Sequence, residues 1–173
     1  MLKRFVIVLL LAVCAFGAGA QTKSQPAGID SLPYQKYPGL PAFNVLLQDS
    51  ATIFNTYYVP EGQPTVIMFF SPDCEHCQRT TEAIMAKIDS LQGVHILFLT
   101  PMSLSLLRPF ATQMKLNGHK NITVGKDYEF FFYRFFGANF VPYVAVYDRK
   151  KKFAKMWEGR VKIEELMKVV TAL

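Results

Sequence analysis

Cysteine is scarce in this chain: 3 of 173 residues, one of which, Cys14, lies within an apolar run near the N-terminus. With that run set aside, Cys74 and Cys77 are the remaining thiols, which excludes a fold stapled by several disulfides. Histidine is also sparse. His76, His95 and His119 are far apart in sequence, and no second Cys-x-x-Cys or His pair supplies the two further ligands a zinc site needs. Long apolar stretches are missing as well: residues 5–16, "FVIVLLLAVCAF", fall short of a bilayer span, and nothing downstream reads as a membrane helix. No Lys/Arg stripe is present, so the formal charge of +6 gives no reason to expect a nucleic-acid partner.

The N-terminus reads as a processing segment. Lys3 and Arg4 precede the apolar run, and Ala18-Gly19-Ala20 follows it in a small-x-small pattern, so residues 1–20 are expected to be a secretory signal peptide cleaved after Ala20. The alternative is lipidation at Cys14, where Leu11-Ala12-Val13 resembles a lipobox except for Val13. Either route places the mature chain outside the cytoplasm, in the periplasm, with a membrane attachment only if Cys14 is lipidated. Cleavage lowers Lys+Arg from 19 to 17, leaves Asp+Glu at 13 and brings the net charge to +4. Residues 21–39, rich in Pro, Gly and polar side chains, read as a flexible leader. Residues 40–173 are long enough to bury a core of their own.

Within 40–173, residues 42–48 and 52–58 have strand composition with an Asp49-Ser50 turn. "TVIMFFS" (65–71) and "VHILFLT" (94–100) are continuous apolar runs, as central strands covered on both faces require. Helices are expected over 73–91 and 103–116, the latter kinked or split at Pro109. A short strand over 121–125 and a helix over 127–136, stopped by Gly137, come next. Strands over 142–148 and 152–158 join through a basic turn, and an amphipathic helix over 161–172 closes the chain with Val161, Ile163, Leu166, Val169 and Val170 inward. Alternating strands and helices imply parallel crossovers, and the closing strand pair adds an antiparallel edge. The expected fold is α/β: a central mixed sheet flanked by helices, with an extra N-terminal β-hairpin.

"SPDCEHC" puts a Cys-x-x-Cys at a strand-to-helix junction. In the first turn of a helix, unpaired N–H groups and the dipole favour a thiolate at Cys74, and Cys77, three residues on, lies within disulfide reach. Cys74 would then attack or be attacked, and Cys77 would resolve the mixed disulfide. A purely structural disulfide closing so small a loop contributes little. The charges around Cys74 oppose one another: His76, when protonated, supports a thiolate, while Asp73 and Glu75 disfavour it. The run "YEFFFYRFF" (128–136) reads first as core, with a partner-docking rim as the other option. Trp157 is expected in the core and Arg134 to snorkel outward. His95 and His119 read as incidental.

Strand, "SPDCEHC", long helix and later "NFVPYVAVYD" resemble the thioredoxin superfamily. The hairpin introduced by "LPAF" is similar to its redoxin branch of TlpA- and ResA-like extracytoplasmic thiol-disulfide oxidoreductases. The resemblance covers residues 40–173. It implies a thioredoxin-like fold, a redox-active Cys74–Cys77 disulfide with no other cofactor or metal, and a cis Val141-Pro142 loop that aligns substrate opposite the cysteines. Cys74, Cys77 and Pro142 would be catalytic, Val141 and Pro142 substrate-binding, and Asp73, Glu75 and His76 thiolate-modulating. The implied partners are protein thiols or disulfides and an upstream electron donor or acceptor, met by a monomer.

This chain departs from the family at several positions. Asp73 stands where many thioredoxins carry Trp, Met68 where a buried Asp is usual, and Thr80 where ResA-like proteins often have Glu. The proton acceptor is therefore open among Glu82, Glu75 and a bound water. His76 between the cysteines and Val141 before the proline resemble DsbA-type oxidants, so both directions of electron flow stay open. Copper-binding relatives space their cysteines by three residues rather than two. A peroxide-consuming redoxin and a non-catalytic envelope binding module are the alternatives.

Overall fold

In chain order the computed structural model, which describes residues 31–173, contains α1 (Pro33–Lys36), β1 (Asn44–Leu47), β2 (Ile53–Asn55), β3 (Thr65–Phe69), α2 (Glu75–Met85) and β4 (His95–Thr100). It continues with α3 (Leu104–Gln113), β5 (Ile122–Lys126), α4 (Phe131–Phe136), β6 (Tyr143–Tyr147), β7 (Phe153–Glu158) and α5 (Ile163–Thr171). The expected signal peptide, its Cys14 alternative and leader residues 21–30 lie outside the described residues.

The seven strands form one sheet in the order β2-β1-β5-β4-β3-β6-β7. Strands β3, β4 and β5 run parallel, with Thr65 opposite His95 and Ile96 opposite Ile122. β6 lies antiparallel to β3 and β7 antiparallel to β6, which gives the mixed sheet its antiparallel edge. At the other edge the β1–β2 hairpin attaches to β5, Leu47 opposite Gly125.

The continuous apolar strands split their side chains between two cores, as a period of two residues demands. Val66, Met68, Ile96, Phe98, Val144 and Val146 face α2, α3 and α5, where Cys77, Ile84, Leu107, Phe110, Leu166 and Val170 meet them. Ile67, Phe69, Leu97, Leu99, Tyr143, Ala145 and Tyr147 face the other way, onto Tyr34, Phe132 and Phe136. Each fully buried Phe or Leu contributes about 1.5–3 kcal/mol of transfer free energy, so β3 and β4 anchor both layers.

Five expectations are corrected. The first concerns the leader, whose last part, residues 31–39, is folded. Tyr34 on α1 is only 9% exposed and packs on Phe136 at 5.5 Å and Phe153 at 5.1 Å between ring centroids. The Phe153 N–H donates to Pro38 O at 2.6 Å and the Leu40 N–H to Lys151 O at 2.8 Å, so the chain joins the β6–β7 turn before residue 40. One aromatic ring outweighs a composition that otherwise reads as linker.

Second, the helix expected over 73–91 is α2 followed by a separate 3-10 turn, Ile88–Leu91, because Lys87 leaves the helical region at φ −113°. Third, α3 runs through Pro109 without splitting. The ring sits on the exposed side, and burial of Leu107, Phe110 and Ala111 holds the helix despite the hydrogen bond Pro109 cannot donate. Fourth, residues 56–58 of the expected second strand are a 3-10 turn, capped by Asn55 Oδ1, which accepts from the Tyr57 N–H at 2.8 Å.

Fifth, the helix expected from residue 127 starts at Phe131. Asp127, fully buried, accepts from the Phe131 N–H at 2.9 Å and from the Phe132 N–H at 2.8 Å, and so caps α4 across an intervening turn. That turn needs Phe130 at φ 53° and leaves its ring 52% exposed. The aromatic run therefore divides: Phe132 and Phe136 are core, whereas Phe130 and Tyr133 face solvent.

Candidate active site

The end of β3 delivers the chain to the top of the sheet, and Ser71 to Asp73 turn it into α2. The Cys74 N–H donates to Ser71 O at 3.1 Å, closing that turn. Cys74 is the N-cap residue, with extended backbone (φ −85°, ψ 114°), and its Sγ accepts from the Cys77 N–H at 3.3 Å. It therefore stands just outside the first turn in which the sequence places it, with a helix N–H aimed at its sulfur. Gln78 ties the approach down by donating from Nε2 to Pro72 O at 2.9 Å.

The two cysteines differ sharply in surroundings. Cys74 is half-buried, whereas Cys77 is fully buried. Burial pushes the Cys77 thiol well above its ordinary value, and the hydrogen bond it shares with Cys74 adds to the rise. Cys77 is thus held as a neutral thiol behind an accessible sulfur.

Across from Cys74 the Val141–Pro142 peptide is cis, and Val141 O lies 3.8 Å from Cys74 Sγ. The Gly159 N–H donates to Pro142 O at 2.8 Å. Glu158, at the end of β7, accepts with one oxygen, Oε1, from the N–H groups of both Asn139 (2.5 Å) and Phe140 (2.8 Å). The loop before Pro142 is thereby stapled to β7. Phe140, in this loop, is left 69% exposed.

The structure brings Cys74, Cys77, Val141 and Pro142 together. Asp73, Glu75 and His76 are exposed around them. Glu75 is engaged by Arg79 one turn along α2, so part of the negative charge facing Cys74 is already compensated. Neither acidic candidate for proton acceptor reaches the interior: Glu82 is exposed, and among the described residues Asp127 is the one buried carboxylate, occupied at α4. Beside Cys77 stand Met68 and Thr81, whose hydroxyl donates to Cys77 O at 2.8 Å and lies 3.8 Å from Met68 Sδ. Trp157, expected in the core, is half-buried and donates from Nε1 to Glu165 at 3.2 Å.

Sequence reasoning missed four residues around the site. Arg79 was legible from its i,i+4 spacing to Glu75. Glu158, Gly159 and Arg160 reach the site only because β7 returns beside β6, which no local pattern announces. His76, Arg79, Gly159 and Arg160 line a cleft of about 220 Å³ beside the cysteines. Among the described residues, no three His, Cys, Asp or Glu side chains converge as metal ligands would.

Fold and site together define a sulfur-based centre on a thioredoxin-type scaffold. The family profile of the thioredoxin-like domain matches residues 56–173, and the chain belongs to that family. Among curated proteins none matches by sequence. Solved structures share the fold. A secreted disulfide oxidoreductase of Mycobacterium tuberculosis, homologous to E. coli DsbE, superposes with a TM-score of 0.64 at 17% identity, over 76% of this chain and 96% of that one. StoA from Bacillus subtilis gives 0.59 at 14% identity over 76% and 97%. A peroxiredoxin-like protein from Aquifex aeolicus gives 0.62 at 16% identity over 78% and 84%.

Proposed function

We propose that this chain is an extracytoplasmic thiol-disulfide oxidoreductase working through the Cys74–Cys77 pair. The observation that carries the reading is the asymmetry of the pair. One sulfur is accessible beneath a cis-proline loop and receives a helix N–H, while the other is buried behind it. In the reducing direction, Cys74 as thiolate attacks one sulfur of a partner disulfide. A Cys74–partner S–S bond forms and the partner's second sulfur leaves as thiolate. Cys77 then loses its proton and attacks Cys74 Sγ, forming the Cys74–Cys77 disulfide and releasing the partner's first sulfur. Two electrons pass to the partner, and an external dithiol returns them. The oxidising direction is the same sequence reversed.

Val141 would present its backbone to an extended client segment and Pro142 its ring, since Pro142 O is held by the Gly159 N–H, and Asp73, Glu75 and His76 would set the charge around the attacking sulfur. The N-terminal run would export the chain to the periplasm, where it acts as a monomer on protein thiols and disulfides, without an organic cofactor. The deciding experiment is catalysed reduction of an insulin-type disulfide, or oxidation of a dithiol peptide, by the mature chain. Turnover is expected with wild type and lost with Cys74→Ala; equal turnover by both would overturn the proposal. The reduction potential of the pair fixes the direction, and a value below about −300 mV, typical of structural disulfides, would instead favour a binding module. Consumption of hydrogen peroxide with a dithiol donor would favour the peroxide-consuming alternative.

A further inference from the structure

The cleft flanking the cysteines is lined by basic side chains, of which the exchange reading uses only His76, for the charge it places near Cys74. His76 lies between the two cysteines, Arg79 one turn along α2, and Arg160 on the segment linking β7 to α5, yet all three line the same cleft. Its floor includes Gly159, whose N–H is bonded to Pro142 O, so the cleft adjoins the surface where a client segment would lie. Two carboxylates neighbour it in sequence: Glu75 is paired with Arg79, and Glu158 turns one oxygen, Oε1, to the Asn139 and Phe140 N–H groups. Arg160 is exposed and forms no ion pair among the described residues. No carboxylate is among the residues that line the cleft.

We infer that this cleft is a subsite for a carboxylate side chain of the client protein, an Asp or Glu a few residues from the client's reactive cysteine. The inference rests on the exchange reading above. Arg160 would supply the unpaired guanidinium and His76 a ring N–H, while Arg79 could exchange Glu75 for the client. The planar guanidinium matches a carboxylate bidentately, which makes Arg160 the specificity-determining residue. Because all partners are solvent-exposed, the gain is a modest one that salt screens.

The test uses the mature chain and a set of disulfide peptides identical except for one position flanking the cysteine, occupied by Glu, Gln or Lys. We expect kcat/KM for the Glu peptide to exceed that for Gln about five-fold at low ionic strength, as a few partly exposed ion pairs allow. The preference should shrink in half-molar salt, weaken in Arg160→Lys, which keeps the charge but loses the fork, and reverse toward Lys in Arg160→Glu. Each comparison is a ratio within one preparation, so partial misfolding of a variant does not mimic the result. Equal rates for Glu and Gln, or a preference for Lys in wild type, would overturn the subsite while leaving the exchange reading intact. No turnover of any peptide would overturn the exchange reading, and the subsite with it.

Discussion

Replacing Glu158 by Ala removes the one oxygen that holds the Asn139 and Phe140 N–H groups, at 2.5 and 2.8 Å. A hydrogen bond to a charged group contributes about 1.5–3 kcal/mol, but Glu158 is half-buried and water can replace it in the variant, so about 1.5 kcal/mol for the pair is the appropriate scale. The loss falls on the segment that leads into Val141 and Pro142, opposite Cys74. If client binding needs that segment held in place, about 1.4 kcal/mol of ordering corresponds to a tenfold loss in kcat/KM. The loss should appear mostly in KM, because Cys74 itself is untouched. Insulin-type turnover measures the split, urea unfolding should record a stability loss of about 1.5 kcal/mol, and alkylation of Cys74 serves as the control that should not change. Glu158→Gln keeps an amide oxygen able to accept both N–H groups and should retain most activity. The reasoning is refuted if Glu158→Ala stays within twofold of wild type in kcat/KM, or if Glu158→Gln is as impaired as Glu158→Ala.

Three other outcomes follow from geometry already described. In the reduced protein, iodoacetamide at neutral pH should label Cys74 and spare Cys77 until the chain is unfolded in urea, because burial holds the Cys77 thiol protonated; comparable labelling by mass spectrometry would contradict this. Asp127→Ala orphans two N–H groups at the start of α4 and should cost about 2 kcal/mol of stability, with Asp127→Asn between the two; an unchanged urea midpoint would remove Asp127 as a cap. His95, buried beside Thr123 and the Phe54 ring, is held below its ordinary value of 6.5 by burial. Below about pH 6.5 the unfolded chain binds a proton the folded one refuses, so stability should fall with pH by at most about 1.4 kcal/mol per unit. His95→Gln should flatten that slope in urea titrations.

Much of the fold was legible because its signals are local. The apolar runs that became β3 and β4 carry their burial in consecutive residues, and Cys74 and Cys77 announce a strand-to-helix junction by position. The hairpin at residues 44–55 was legible from composition and its Asp49 turn. What was hidden depends on distant partners. Tyr34 orders α1 only because Phe136 and Phe153 arrive from elsewhere in the chain. Asp127 is a helix-start residue in sequence, but its carboxylate reaches over a three-residue turn, so the expected boundary fell four residues early. Glu158 and Arg160 look like ordinary surface charges until β7 is laid beside β6.

The asymmetry of the two thiols has a kinetic corollary. A centre with one reachable sulfur has one doorway: whatever supplies electrons and whatever takes them must dock on the same face, at different times. For the proposed exchange, donor and client therefore compete rather than assemble around the protein together. Turnover should follow double-displacement kinetics, with parallel lines in reciprocal plots, and excess of either partner should slow the other.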